Sequence, residues 1–249
     1  MDIKLKKQKI NFENLDIFVL AGGKCGSTTL YETFNNIGYS TIKCHNKSNF
    51  KTQFGYDGLF KSIQESSLNK KIYIIDSYRT PIERKISSFF QHITVSNKNF
   101  KEENIFNLID YFNKNKLNTI EEYHGILEIF DYFKISYFNK DNLIDNKYYY
   151  KEINNFIFIK LLFKNISNWD HILSSIFKKK IKIIKSNITE NKNNVKKVYK
   201  EFKEKYIAPP SYINELKNDE QFNFFLDEKE KQEYFEKYQL SKLNYKYII

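Results

Sequence analysis

One run of ten residues, Ala21-Gly22-Gly23-Lys24-Cys25-Gly26-Ser27-Thr28-Thr29-Leu30, constrains this chain more than any other. The apolar stretch Ile17-Phe18-Val19-Leu20 precedes it, and the helix-like stretch Leu30-Tyr31-Glu32-Thr33-Phe34 follows. Strand, tight glycine loop and helix is the arrangement that aims backbone N–H groups and a helix N-terminus at an anionic phosphate. Gly22, Gly23 and Gly26 are three of the chain's seven glycines, and close approach of backbone to a ligand requires such residues. A Walker A loop ends in Gly-Lys followed at once by the Ser or Thr that holds Mg²⁺. Here Lys24 comes before the last glycine, and the hydroxyls follow it as Ser27, Thr28 and Thr29. That order describes a phosphate cradle without the usual metal-ligand arrangement, and it argues against an ordinary nucleotide hydrolase.

Arginine marks a second segment. Of the 41 Lys and Arg residues only two are arginine, and both fall in Arg79-Thr80-Pro81-Ile82-Glu83-Arg84. The lysine excess, alongside abundant Asn, Ile, Tyr and Phe, reads as AT-rich codon usage, so lysine counts carry little weight. An arginine that stands apart carries more, because its planar fork suits phosphate recognition. The apolar run Ile72-Tyr73-Ile74-Ile75-Asp76 leads into the segment. Thr80 as N-cap, Pro81 at N1 and Glu83 at N3 then form a helix-start signature. On that helix Arg84, Ser87 and Ser88 share a face, while Ile82, Ile86, Phe89 and Phe90 are apolar contacts. Arg79 falls at the strand's exit, where open α/β sheets receive ligands.

Together these segments resemble the sulfotransferase family, enzymes that use 3′-phosphoadenosine 5′-phosphosulfate. The family's pattern G-x-x-K-x-G-[ST]-[ST] aligns with the stretch from Gly22 or Gly23 through Thr28, in register at Lys24, Gly26, Ser27 and Thr28. Its second signature, R-D-P-x-x-R-x-x-S, is matched in register by Arg79, Pro81, Arg84 and Ser87, with Thr80 in place of the Asp. Thr caps a helix nearly as well as Asp. The resemblance spans residues 17–37 and 71–92. It implies that Gly22, Gly23, Lys24, Cys25, Gly26, Ser27 and Thr28 cradle the donor's 5′-phosphosulfate end. It also implies that Arg79 and Ser87 grip the 3′-phosphate, and that the product is adenosine 3′,5′-bisphosphate. The stretch Ser186-Asn187-Ile188-Thr189-Glu190-Asn191-Lys192, with Tyr199-Lys200-Glu201-Phe202, is similar to bacterial capsular-polysaccharide synthesis proteins of the sulfotransferase type.

Apolar and polar runs alternate so as to place strands at 16–21, 40–44, 71–76, 155–162 and 180–185. Helices are expected at about 28–37, 57–67, 81–93, 168–177 and 190–206, with a final pair near 211–217 and 227–239. This is an α/β fold: a mostly parallel central sheet flanked by helices, with a helical C-terminus. Residues 95–150, rich in Phe, Tyr, Asn and Lys, read as a helical insertion without a clean strand, on the acceptor side. A chain of 249 residues with 41% hydrophobic content suffices for one domain, 1–249. The N-terminus has no apolar h-region and no run reaches a transmembrane length, so a cytoplasmic protein without an integral membrane segment is expected. Two cysteines, Cys25 and Cys44, do not make a disulfide framework. The net charge of +11 includes nine lysines against Glu190 alone within 178–200. Attraction of an anionic donor or acceptor and a solvated lysine face explain it equally well. No nucleic-acid motif accompanies it, while peripheral attraction to a membrane surface stays open.

Sulfuryl transfer is an in-line displacement that requires donor and acceptor to be aligned and the leaving phosphate oxygen stabilised. Lys24 suits that oxygen, assisted by loop N–H groups and the Ser27 and Thr28 hydroxyls. The acceptor hydroxyl needs a base. His45, at the end of the second strand, is the first candidate. His92 and Glu65 are the others, while His124 and His171 are expected to stand apart and Trp169 to pack in the core. The expected acceptor is a carbohydrate hydroxyl in a capsular or surface polysaccharide, and no metal is expected. The alternatives are transfer of another small group from a 3′-phosphonucleotide, a kinase-like nucleotide-binding protein with Asp76 as its acidic residue, or a binding module.

Overall fold

The computed structural model describes residues 14–54, 58–96, 104–117, 120, 125–184 and 195–239. They form two compact units, one from residues 1–79 and 123–187, the other from 80–122 and 188–249.

The first unit is built on a mixed six-stranded sheet. Its strands are β1 (Ile17–Val19), β2 (Thr41–Lys43), β3 (Ile72–Tyr78), β4 (Leu143–Ile144), β5 (Tyr148–Ile153) and β6 (Phe156–Leu162), in the order β2-β1-β3-β6-β5-β4. The first four in that order run parallel, and β5 and β4 close one edge antiparallel. β1, β3 and β6 are nearly continuous apolar runs because strands inside a parallel sheet are covered on both faces. On one face Ile17, Val19, Ile75, Ile157, Ile159 and Leu161 form a core with α1 (Ser27–Asn36) and α7 (Trp169–Phe177). On the other, Phe158 meets Phe130 of α6 (Ile126–Phe133) at 4.7 Å between ring centroids. Two further helices, α2 (Lys47–Phe54) and α3 (Leu59–Ser66), lie between β2 and β3 in the chain.

The chain leaves β1 for β2 on one side and then takes up β3 on the other. The carboxyl ends of β1 and β3 therefore flank a topological switch point, the place where such sheets hold ligands. The glycine loop follows β1, and Arg79 follows β3.

The same face that holds Phe158 also carries a buried ion pair. Asp76 and Lys160 are register partners across β3 and β6, both 0% exposed, with Lys160 Nζ 2.5 Å from Asp76 Oδ2. The Ser77 N–H (2.6 Å) and the Ile126 N–H (3.3 Å) also donate to this carboxylate, so it ties α6 to the sheet. Burial pushes the Asp76 carboxyl above its ordinary range, while Lys160 and the two N–H groups pull the other way.

The second unit is helical among its described residues: α4 (Pro81–Ser96), α5 (Ile105–Lys116), α8 (Lys196–Lys205), α9 (Pro210–Lys217), α10 (Glu220–Phe225) and α11 (Glu228–Tyr238). Its core is aromatic, with Phe89 and Phe90 of α4 against Phe112 of α5 and Phe202 of α8 at 5.2–5.8 Å. The start of α4 is held by its own unit: the Ile82 N–H donates to Tyr234 Oη, and Glu83 pairs with Lys237. The Thr80 hydroxyl donates to Glu83, and the Thr80 carbonyl accepts the first helical bond, from Arg84.

Several sequence expectations are redrawn. The 95–150 insertion is divided: α5 belongs to the helical unit, while α6, β4 and β5 belong to the sheet unit. It contains a strand after all, β5, joined to β6 through Asn154-Asn155 with Asn154 in a left-handed conformation. The segment expected as a strand at 180–185 is not one over its described part, 180–184. Side chains take its backbone groups, with the Ile181 N–H bonded to Ser174 Oγ and the Ile184 N–H to Thr33 Oγ1. Residues 186–192, which carry the polysaccharide-type similarity, and His124 lie outside the described residues. No helix among the described residues is long and apolar enough to cross a membrane.

Because Asp76 and Lys160 pair with each other at 0% exposure, removing one partner strands the other charge. Lys160→Met is expected to destabilise the protein by about 3–5 kcal/mol in denaturant unfolding. A loss below about 1 kcal/mol would show that the pair does not organise the sheet centre.

Candidate functional site

The loop leaves β1 with the Leu20 N–H still bonded to the Ile75 carbonyl, then turns sharply before α1. Its carbonyl oxygens are held one after another. His45 Nδ1 lies 2.7 Å from the Ala21 oxygen, and the Cys25 N–H donates to the Gly22 oxygen at 3.1 Å. The Cys25 thiol points at the Gly23 oxygen at 3.7 Å. Arg79 Nη1 donates to the Lys24 oxygen at 2.9 Å, and the Ser77 hydroxyl donates to the Cys25 oxygen. The Gly26 oxygen accepts the first α1 bond, from Leu30 at 3.0 Å.

With its carbonyls turned toward protein donors, the segment leads into a helix start that no side chain caps. The N–H groups of Ser27, Thr28 and Thr29 precede the i→i−4 ladder and carry the positive end of the helix dipole. Ser27 and Thr29 are buried, and Thr28 is half-buried.

Gly26 is required twice. Its φ is +89°, and a Cβ there would lie 2.8 Å and 2.9 Å from two atoms of the Trp169 ring. That ring is fully buried and anchored by its indole N–H on the Leu162 carbonyl at 3.2 Å. Gly23 is exposed, and a Cβ would meet nothing within 4 Å. Trp169 packs in the core as expected and also shapes the loop.

Lys24 itself has φ +68°. The other non-glycine residues with positive φ among those described are Lys134 and Lys178, which end helices, and Asp145, Asn146 and Asn154, which turn hairpins. Lys24 has neither excuse. Left-handed backbone at a residue with a Cβ costs about 1–2 kcal/mol and persists where the surroundings over-determine it, as they do at functional sites.

Two cationic groups besides Lys24, and one imidazole, belong to this unit's loop region. Arg79 lies over the Phe163 ring at 4.4 Å, and its Nε is buried without a hydrogen-bond partner among the described residues. Lys43, which sequence reasoning passed over, is the register partner of Val19, and its Nζ donates to Thr28 Oγ1 at 3.1 Å. His45 follows two residues later. Because a carbonyl oxygen only accepts, the Nδ1 contact with Ala21 fixes the proton on Nδ1 and leaves Nε2 as the basic nitrogen. Its own N–H is taken by Asn49 Oδ1 at 3.0 Å.

The other candidates stand differently. Glu65 sits on α3 in a loose surface pair with Lys61 at 3.7 Å. Ser87 is buried on α4 and His92 is exposed there, both in the helical unit; His92 Nδ1 is occupied by the Ser88 carbonyl at 2.8 Å. His171 is exposed on α7. Asp76, the carboxylate that a kinase-like reading needs, is committed to Lys160. Burial, with Glu128 nearby, pushes the Cys44 thiol up to about 12, so it is no nucleophile at neutral pH. Among the described residues, no group of three or more His, Cys, Asp or Glu is arranged to hold a metal ion.

Comparison with protein-family models, with curated proteins and with solved structures returned no match.

Two glycine substitutions separate the loop's requirements. Gly26→Ala must shift the Trp169 ring and adopt a left-handed backbone, an expected loss of about 2–4 kcal/mol in denaturant unfolding. Gly23→Ala is expected to stay within about 0.5 kcal/mol of the parent protein. Equal effects of the two would contradict this account of the loop.

Proposed function

We propose that the chain transfers a sulfuryl group from 3′-phosphoadenosine 5′-phosphosulfate to a hydroxyl of a carbohydrate acceptor, in the biosynthesis of a capsular or surface polysaccharide. The observation that carries this reading is the loop at 21–28. Its carbonyls are pinned to His45, Arg79 and Ser77, its helix start lacks a side-chain cap, and Lys24, Lys43 and Arg79 gather around it. Such a segment suits an anion held by N–H groups and cations rather than through a metal. The buried, unpartnered Nε of Arg79 fits a second phosphate as its missing acceptor.

The donor, when bound, supplies an activated sulfur–oxygen–phosphorus linkage. The acceptor oxygen forms a bond to sulfur as the bond from sulfur to the 5′-phosphate oxygen breaks, and adenosine 3′,5′-bisphosphate leaves. His45 Nε2 takes the acceptor proton, and the Ala21 carbonyl orients the ring by holding Nδ1–H. Lys24, Lys43 and the first-turn N–H groups of α1 meet the charge that grows on the departing phosphate oxygen. Lys43 also holds the Thr28 hydroxyl in place. Arg79 serves the loop and the 3′-phosphate together. A kinase-like reading is disfavoured because Asp76 is spent on Lys160.

Calorimetric titration tests this. Adenosine 3′,5′-bisphosphate is expected to bind at least about tenfold more tightly than ADP, the effect of one charge-assisted contact. Arg79→Ala should remove most of that preference. His45→Asn, whose amide N–H can still donate to the Ala21 carbonyl, should leave bisphosphate binding in place while turnover falls by about 10²–10⁴. Preference for ATP–Mg²⁺ over the bisphosphate would overturn the proposal.

A further inference from the structure

Away from the loop, the sheet unit displays an aromatic surface to which nothing so far assigns a role. Phe60 of α3 and Tyr132 of α6 stack with ring centroids 4.3 Å apart and planes 23° from parallel. Tyr132 is 53% exposed, so much of its ring faces solvent. Glu128 lies one turn before Tyr132 on the same face of α6, opposite the buried Ile126, Ile129 and Phe130. Glu128 accepts the Lys47 N–H at 3.2 Å, and Lys47 Nζ lies 5.8 Å from the Phe60 ring centroid. Lys47 opens α2 two residues after His45. Beginning two residues after His45 in the chain, a strip of contacts therefore runs from Lys47 to Glu128 and to the Phe60–Tyr132 stack, all within one unit.

Packing does not explain this arrangement, since an exposed helix position opposite the core is served as well by a charged residue. An open aromatic ring edged by a carboxylate, an ammonium and a phenol hydroxyl has the chemistry of a sugar subsite. The ring covers the C–H face of a pyranose, and the polar groups take its hydroxyls. A nucleobase would also stack on tyrosine, but the strip begins at Lys47, two residues from His45. Arg79, which holds the loop at Lys24 rather than at Ala21, marks the other end.

We propose that Tyr132 and Phe60 form a subsite for a pyranose ring of the acceptor, beyond the sugar whose hydroxyl meets His45. This rests on the transfer reading above. Stacking of this kind is tolerant of linkage, so cellotetraose is a usable probe. Saturation-transfer NMR on the parent protein is expected to show transfer to the cellotetraose ring protons. Tyr132→Ala should weaken binding by about fivefold, the scale of one aromatic contact, and Tyr132→Phe should largely retain it. Unchanged thermal unfolding of the exposed Tyr132 variants serves as the folding control. Adenosine 3′,5′-bisphosphate is titrated into the same samples, with no change expected in Tyr132→Ala.

No transfer to cellotetraose in the parent protein, or equal transfer in Tyr132→Ala, overturns the subsite whatever the nucleotide does. Weaker bisphosphate binding in Tyr132→Ala also overturns it, by giving the ring to the nucleotide. Tyr132-dependent sugar binding without any bisphosphate binding upholds the subsite and sinks the donor reading instead.

Discussion

Six consecutive carbonyl groups, from Ala21 to Gly26, leave the buried end of β1, and each meets a donor within the sheet unit. Buried backbone oxygens without partners cost free energy comparable to a lost hydrogen bond, so the donors are a structural obligation. Three are met locally, by Cys25 twice and by Leu30. The other three come from elsewhere in the sheet unit: His45 just after β2, Ser77 near the end of β3, and Arg79 just beyond it. The loop's shape therefore depends on the pairing of β1 with both β2 and β3. Trp169 closes the arrangement by leaving no room for a side chain at Gly26.

The same ties give the loop its chemistry. Carbonyls that face protein donors cannot repel an incoming anion, and the helix start beyond them offers N–H groups. The cations have separate structural duties, which fixes them in place. Arg79 stacks on Phe163 while bonded to Lys24, and Lys43 holds the Thr28 hydroxyl. Behind them, the Asp76–Lys160 pair takes a buried acidic group at the centre of the sheet away from the loop. A carboxylate left free there would oppose the binding of phosphate.

Much of this was legible in local sequence. β1, β3 and β6 are apolar runs, the glycine loop is a contiguous motif, and the Thr-Pro start of α4 reads directly from residue order. What escaped depends on pairing across the sheet, which residue order does not express. Lys43 is one lysine among many until the register sets it beside Val19, and Ser77 is an ordinary strand residue until the loop crosses it. β5 is a different case, because its signal was present. Two β-rich runs separated only by Asn154-Asn155 are a hairpin signature, overlooked because Tyr148-Tyr149-Tyr150-Lys151-Glu152 is too polar to resemble the buried strands. Residues 180–184 erred the other way. Their apolar alternation suits a strand, but Ser174 and Thr33 take the backbone groups that a neighbouring strand would need.

The claim on which all of this turns is that the backbone of 23–28 is the anion cradle. Amide-resolved NMR of the ¹⁵N-labelled protein, titrated with adenosine 3′,5′-bisphosphate, tests it at the atoms concerned. The account predicts that the largest amide shifts fall on Gly23, Lys24, Gly26, Ser27 and Thr28, with the Arg79 side chain following in the same titration. Saturable shifts concentrated on other residues, with these amides unmoved, would contradict it.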